Sequence, residues 1–363
     1  MKLGVLKENT DQRVAVVPDT VPKFQKIGIE VLVEKNAGAA AQFSDAAYQE
    51  QEAQVMDRAE VIKQADVIIS IHPLSAEERQ SIRTEQWLIS QFEPFNDKEI
   101  TPALEKEGRN AFSLDMIPRT TLAQSMDILS SMASIAGYKA VIEAGRLLPR
   151  YFPMMITAAG SIKPAKVLVL GAGVAGLQAI ATARRLGSMV EAFDTRTAAK
   201  EEVLSLGAKF VEVEGAADDS GAGGYAVEQS EDFLKRQRAE VQARAMKADV
   251  IITTAQVRGR KAPLLVPTST VEQMKPGSVI IDLAASTGGN CELSKDQELV
   301  VHQGVQIYGN SNLAELMPQD ASTLYSNNLH NFLKYITKDG EIEVRMDDEI
   351  ISGALITPAP KEA

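Results

Sequence analysis

The sequence predicts an α/β protein of two doubly wound (Rossmann-like) domains joined by two crossing helices. Three observations predict it. Short apolar runs alternate with helix-patterned segments from the first residues onward, which argues for parallel sheets covered on both faces. A second such series begins at residue 166, where a glycine-rich turn follows the apolar run in KVLVLGAGVAGLQ (166–178). The 363 residues also exceed what one core ordinarily serves, so two domains are the default.

In the first series the predicted strands are Leu3–Leu6, Val31–Val33, Val67–Ile71, Leu88–Ser90 and Ala111–Leu114, separated by helix-like segments such as 56–65 and 97–107. Residues 123–147 place Met126, Leu129, Ala133, Ala136 and Ala140 at three- and four-residue steps, the spacing of a helix. The second series runs from 166 through Met189–Phe193, Lys209–Val211, Val250–Ile252, Val279–Ile281 and Val305–Tyr308. Leu324–Ile336 reads as a second helix, too polar on one side for full burial,. The two helices are expected to cross between a discontinuous first domain, 1–125 and 325–363, and a Rossmann domain, 126–324. The cleft should then lie between them at the carboxyl ends of both sheets.

The turn at 171–176 is a G-x-G-x-x-G fingerprint. Gly171 permits a sharp turn, Gly173 a close approach to a pyrophosphate, and Gly176 tight helix packing on the strand. The backbone of Val174, Ala175 and Gly176 should face the phosphates from the positive end of the helix. The next strand ends on Asp194, an acid that suits a free ribose 2′-hydroxyl and repels a 2′-phosphate. NAD is therefore preferred over NADP, although Arg196 could accept a phosphate or simply pair with Asp194. The fingerprint opens the second series, so the second domain carries the cofactor.

Composition excludes other classes. A net charge of −11 disfavours nucleic acid or an anionic bilayer as the main partner,. No stretch is apolar enough to span a bilayer and no signal peptide is seen, so the chain is expected to be cytoplasmic. Cys291 is the sole cysteine, which rules out an internal disulfide and reads as a small buried residue beside Gly288-Gly289-Asn290. His72, His302 and His330 show no metal-ligand spacing,, and no metal is expected. The glycine-rich, acidic stretch 214–224 is either a surface connection or, with Tyr225 at its edge, a closing lid.

The segments Arg119–Ala140, 157–196, 275–291 and the GGYA at 223–226 together resemble the NAD(H)-binding component of proton-translocating transhydrogenase, a family that shares its fold with alanine dehydrogenase. The resemblance runs from near residue 1 to about 355. It implies NAD(H) in this chain, NADP(H) in a partner component, direct hydride transfer across the interface, and proton movement through a separate membrane component. A homodimer is also implied, held on the cytoplasmic face of the inner membrane by its partners without inserting itself. The rival reading is an alanine-type dehydrogenase. That chemistry needs a lysine and a histidine in the first domain, and the corresponding places here carry Ile71 and Glu93. His72, one position away, reads as a surface residue, or in the rival reading as a substitute base. Hydride transfer between two nicotinamides needs no proton transfer on either ring, only alignment and exclusion of water.

By the same resemblance, Gln124 orients the nicotinamide and reaches toward the second cofactor, while Arg119 and Asp127 pair and grip the nicotinamide ribose or amide, with Ser130 in the same segment. Taken as residues alone, Gln124, Asp127 and Ser130 read equally well as capping and first-turn residues of the helix that follows. Asp194, Thr195 and Arg196 surround the adenosine ribose. Gly224, Ala255 and Gln256 line the adenosine half, Gly289 and Asn290 lie near the nicotinamide, and Tyr225 belongs to a loop that closes over the nucleotide. Two departures stand out: Leu122 replaces a frequently basic residue, and Gln256-Val257-Arg258 replaces a leucine-isoleucine-proline run.

Overall fold

A computed structural model describes residues 1–213 and 230–358. The chain divides into two compact units, Met1–Met132 with the segment from Glu315 onward, and Ala133–Ala314. Each carries its own parallel sheet.

In the first unit β1 (Lys2–Val5), β2 (Glu30–Glu34), β3 (Gln54–Met56), β4 (Val67–Ile69), β5 (Trp87–Ser90) and β6 (Asn110–Ser113) form a six-stranded sheet in the order β3-β2-β1-β4-β5-β6. Every pairing is parallel, and the order reverses between β1 and β4, as in a doubly wound sheet. The three residues of β3 offer no apolar run to read. The helix Pro318–Ile336 starts six residues earlier than expected and lies in this unit from its first turn. Tyr325, Leu329, Phe332, Leu333 and Ile336 on it join the core. Its polar side is only partly exposed. Ser322 and Ser326 are fully buried, and their hydroxyls accept the N–H groups of Val14 (2.9 Å) and Val17 (3.2 Å). Those serines satisfy a buried stretch of backbone that no strand pairs.

The second unit opens with a hairpin, β7 (Met155–Thr157) and β8 (Gly160–Ile162). Its main sheet comprises β9 (Lys166–Leu170), β10 (Met189–Phe193), β11 (Lys209–Phe210), β12 (Val250–Thr253), β13 (Val279–Asp282), β14 (Glu298–His302) and β15 (Val305–Gly309), in the order β11-β10-β9-β12-β13-β15-β14. All pairings are parallel except β14 with β15. The runs VLVL of β9 and VIIT of β12 are buried throughout, because helices cover both faces. β14 was not expected. It pairs with β15 through a tight turn at Gln303 and Gly304, both at positive φ (47° and 82°), the backbone a two-residue hairpin needs.

The helix Ile128–Leu147 begins in the first unit and continues through the second. Within the second unit it meets the helix Val174–Arg185 backbone to backbone: a Cβ added to Gly137 would lie 2.1 Å from the Ala175 carbonyl oxygen. Alanine is ordinarily the better helix former by about 1 kcal/mol. Here the sign should invert. Gly137→Ala is expected to destabilise the chain by roughly 1–3 kcal/mol, as overpacking does, measured by urea denaturation. A gain in stability would refute the contact.

Candidate functional site

The fingerprint turn of the second unit is built by sterics. Gly171 sits at φ 104°, a conformation that L side chains rarely adopt, and a Cβ there would meet Thr254 Oγ1 at 2.5 Å. A Cβ on Gly176 would meet the Gly171 carbonyl oxygen at 1.8 Å. Protein packing thus dictates both glycines. Gly173 differs: its φ of −76° and ψ of −169° suit any residue, and a Cβ there would touch no protein atom within 4 Å. The space before it is left for something other than the chain. Gly173 is also the N-cap of the helix Val174–Arg185, whose first turn has neither a side-chain cap nor an acidic residue. Its leading N–H groups and partial positive charge therefore face outward.

Around this turn the structure gathers the other predicted residues of the unit, at the carboxyl ends of β9, β10, β12 and β13. Asp194 accepts the Ala172 N–H (2.7 Å), the Arg196 N–H (2.8 Å) and both arms of the Arg196 guanidinium (3.0 Å each). Burial pushes the Asp194 carboxyl up, and these hydrogen bonds outweigh it and hold the group below its ordinary range. Arg196 is thus paired with Asp194, the plainer of its readings. Thr195 between them is exposed. Ala255 follows β12, and the Asn290 amide clamps it: the Ala255 N–H donates to Asn290 Oδ1 (3.0 Å), and Asn290 Nδ2 donates to the carbonyls of Ala255 (2.9 Å) and Pro263 (2.8 Å). Asn290 is fully buried, so it shapes the loop and has no side-chain group to spare. Gln256 Nε2 donates to the Leu283 carbonyl (3.1 Å), and Gly289 stands beside Asp282.

Asp282 was missed by the sequence reading. Fully buried at the end of β13, it accepts Thr253 Oγ1 (3.0 Å) and the N–H groups of Ala284 (2.9 Å), Asn290 (2.8 Å) and Cys291 (3.0 Å). Four donors make its burial tolerable. The signal was present in the acid closing the run VIID. Burial pushes the Cys291 thiol up to about 12, which makes it an inert packing residue. Gly224 and Tyr225, with the stretch 214–224, lie at positions 214–229, outside the described residues.

In the first unit, Leu122–Met126 is a 3₁₀ turn leading to Asp127 and the helix Ile128–Leu147. Asp127 caps that helix, accepting the Ser130 N–H (2.9 Å) and the Ser130 hydroxyl (2.6 Å). Its carboxylate makes no ion pair with Arg119 among the described residues, contrary to the expected pairing. Arg119 and Gln124 are both exposed, and Leu122 beside Gln124 is 62% exposed. The capping reading of Asp127 and Ser130 is therefore realised, while Gln124 and Arg119 present their heads at the surface.

His72 is more than a surface residue. Its Nε2 lies 2.9 Å from Asp11 Oδ2, and Asp11 also holds Arg13 at 2.5 Å in a buried pair. Glu8 accepts the N–H groups of Ile71 (2.6 Å) and His72 (3.3 Å), and burial raises its carboxyl above the ordinary range. Asp11, His72 and Glu315 offer ligand atoms within 4.8 Å of one another. Arg13 already supplies the positive charge there, 3.7 Å from Glu315. The hydrogen bond to Asp11 raises the His72 pKa against the opposing effect of burial. Glu93, at φ 52°, accepts amide hydrogens from Gln91 (2.7 Å) and Asn96 (2.9 Å).

Two family models match the chain: the alanine dehydrogenase/PNT N-terminal domain over residues 4–136 and the corresponding C-terminal domain over residues 140–361. An NAD(P) transhydrogenase subunit alpha chain of Rhodospirillum rubrum is 43% identical over 369 residues, covering 98% of this chain and 96% of that protein. The crystal structure of transhydrogenase from Sinorhizobium meliloti superposes with a TM-score of 0.90 at 40% identity, covering 98% of each chain. An L-alanine dehydrogenase structure superposes at 0.80 with 26% identity, covering 98% and 94%.

Because its folded pKa is raised, His72 stabilises the fold fully below the ordinary histidine value of about 6.5. That stabilisation is lost as pH rises through the folded value. The stability lost in His72→Gln, measured by denaturant titration, should therefore be larger near pH ~6 than near pH ~9. An equal loss at both would show that the Asp11 contact does not hold the proton.

Proposed function

Since this chain belongs to the alanine dehydrogenase/PNT family, we propose that it is the NAD(H)-binding component of a proton-translocating transhydrogenase, passing hydride directly to NADP⁺ held by a partner component. A membrane component would couple that transfer to proton movement. The carrying observation is Gly173, a glycine that neither backbone conformation nor protein packing demands, at an uncapped helix N-terminus free of acidic side chains. The residues present fit a dinucleotide. Gly171, Gly173, Val174, Ala175 and Gly176 would hold the pyrophosphate through backbone N–H groups. Asp194 would receive the adenosine ribose hydroxyls, and the loop of Ala255, Gln256 and Gly289, braced by Asn290, would line the remainder. When bound, NADH supplies a hydride from C4 of its ring.

For their part, the chain's residues position and exclude. Gln124 is the exposed polar group assigned to the nicotinamide end, with Arg119 in the same segment, and Asp127 and Ser130 fix the start of the helix behind them. Transfer between two nicotinamides calls for no base, and the Asp11-bound His72 supports that reading. An imidazole whose pKa is raised keeps its proton near neutral pH and makes a poor base for amino-acid oxidation,. The alternative, an alanine-type dehydrogenase, would need His72 to shed it. No described helix is long and apolar enough to cross a membrane, which is compatible with attachment through partner subunits on the cytoplasmic face. The β7–β8 hairpin leaves Met154 60%, Ile156 76% and Ile162 43% exposed, an apolar surface that a second copy would cover in a homodimer.

Two measurements test this. Purified chain should bind NADH yet transfer hydride to an NADP analogue only after the NADP(H)-binding component is added, and oxidation of alanine at ordinary enzymatic rates by the chain alone would end the proposal. Gln124→Asn should slow reconstituted hydride transfer on the order of a hundredfold, the cost of about 1 Å of misplacement, with NADH affinity nearly unchanged. A parallel loss of affinity, with no separate effect on rate, would remove Gln124 from that role.

A further inference from the structure

The second unit holds a cavity of about 330 Å³ at the end of the sheet opposite the glycine turn. It lies where β9, β10 and β11 begin, at Lys166, Met189 and Lys209. The five residues of β9 separate it from Gly171 by about 16 Å. Its rim carries Lys166, Arg184, Lys209, Arg244 and Lys247. Two carboxylates also line it, Glu191 and Glu240, and Arg244 holds both, at 2.9 and 2.7 Å.

Helix carboxyl termini converge on this end and bring partial negative charge. Arg184 and Arg244, each in the last turn of its helix, offset that charge. Lys166, Lys209 and Lys247 remain, and no carboxylate pairs with any of them among the described residues. The cavity also has an apolar side, with Val190 and Ala248 almost fully buried and Met189 half exposed. In a chain of net charge −11, a concave surface with three unpaired ammonium groups over an apolar wall is a local reversal of sign. Its volume falls at the small end of ligand pockets, roughly 300–1,000 Å³.

We propose that this cavity is a second anion site, separate from the dinucleotide turn, that takes a phosphate-bearing molecule with a compact apolar body. The phosphates would sit among Lys166, Lys209 and Lys247 and the body against Val190 and Met189. A free nucleotide and a phospholipid headgroup share that chemistry.

The test uses the full chain at low salt with saturating NADH present, so that the glycine turn is filled. ATP binding is measured by calorimetry, and cosedimentation with phosphatidylglycerol vesicles is measured separately. The double charge reversal Lys209→Glu/Lys247→Glu should weaken binding at least about tenfold while leaving NADH binding unchanged, and the wild-type interaction should fade at physiological ionic strength. Loss confined to ATP identifies a soluble ligand, and loss confined to vesicles identifies a headgroup. Lys166→Gln, which adds no negative charge, should weaken the same probe if the double variant does not fold. Failure of the wild-type chain to bind either probe, or variants that bind both as well as wild type, would overturn the site.

Discussion

Two backbone contacts fix the working end of the second unit. The first turn of the helix Val174–Arg185 is pressed between the Gly171 carbonyl on one side, reached through Gly176, and the helix Ile128–Leu147 on the other, reached through Gly137. Neither contact leaves room for a methyl group. Because that turn cannot shift, its leading N–H groups project at a set place and angle, and Gly173 keeps the approach to them open. The affinity of this end for an anion therefore comes from packing on the far side of the helix as much as from the turn itself.

Behind the turn, buried charge is used as a brace. Asp282 gathers four donors from the segments that follow β12 and β13, and Asn290 links two of those segments through its amide. In the first unit, Asp11, Arg13, Glu8 and His72 do the equivalent for the loops after β1 and β4. In each case a charged group far from any reacting atom sets the backbone path on which a functional surface depends.

Much of this was legible in the chain. The two parallel sheets, the fingerprint turn and Asp194 follow from apolar runs and glycine spacing, which are local signals. What escaped was non-local or short. β3 has three residues with no apolar run, and β14 is an edge strand whose turn, Gln303-Gly304, was readable but weak. The polar face of Pro318–Ile336 looked solvent-facing because nothing in sequence shows that Ser322 and Ser326 would meet the N–H groups of Val14 and Val17. Asp127 and Ser130 could be placed at a helix start from spacing, yet only coordinates could separate Arg119 from Asp127. The basic rim likewise draws on residues scattered from 166 to 247, and only the convergence of strand starts and helix ends brings them together.

The closed pair of Asp194 and Arg196 has a consequence for redesign. Both carboxylate oxygens are already engaged, one by the Ala172 amide and both by Arg196, so the acid and the arginine form a single unit. Removing Asp194 alone would free a guanidinium but also strip the Ala172 N–H of its partner and loosen the turn that carries it. An engineer wishing to alter nucleotide preference would have to supply a neutral acceptor at 194 while re-aiming Arg196, since the two positions cannot be varied as independent dials.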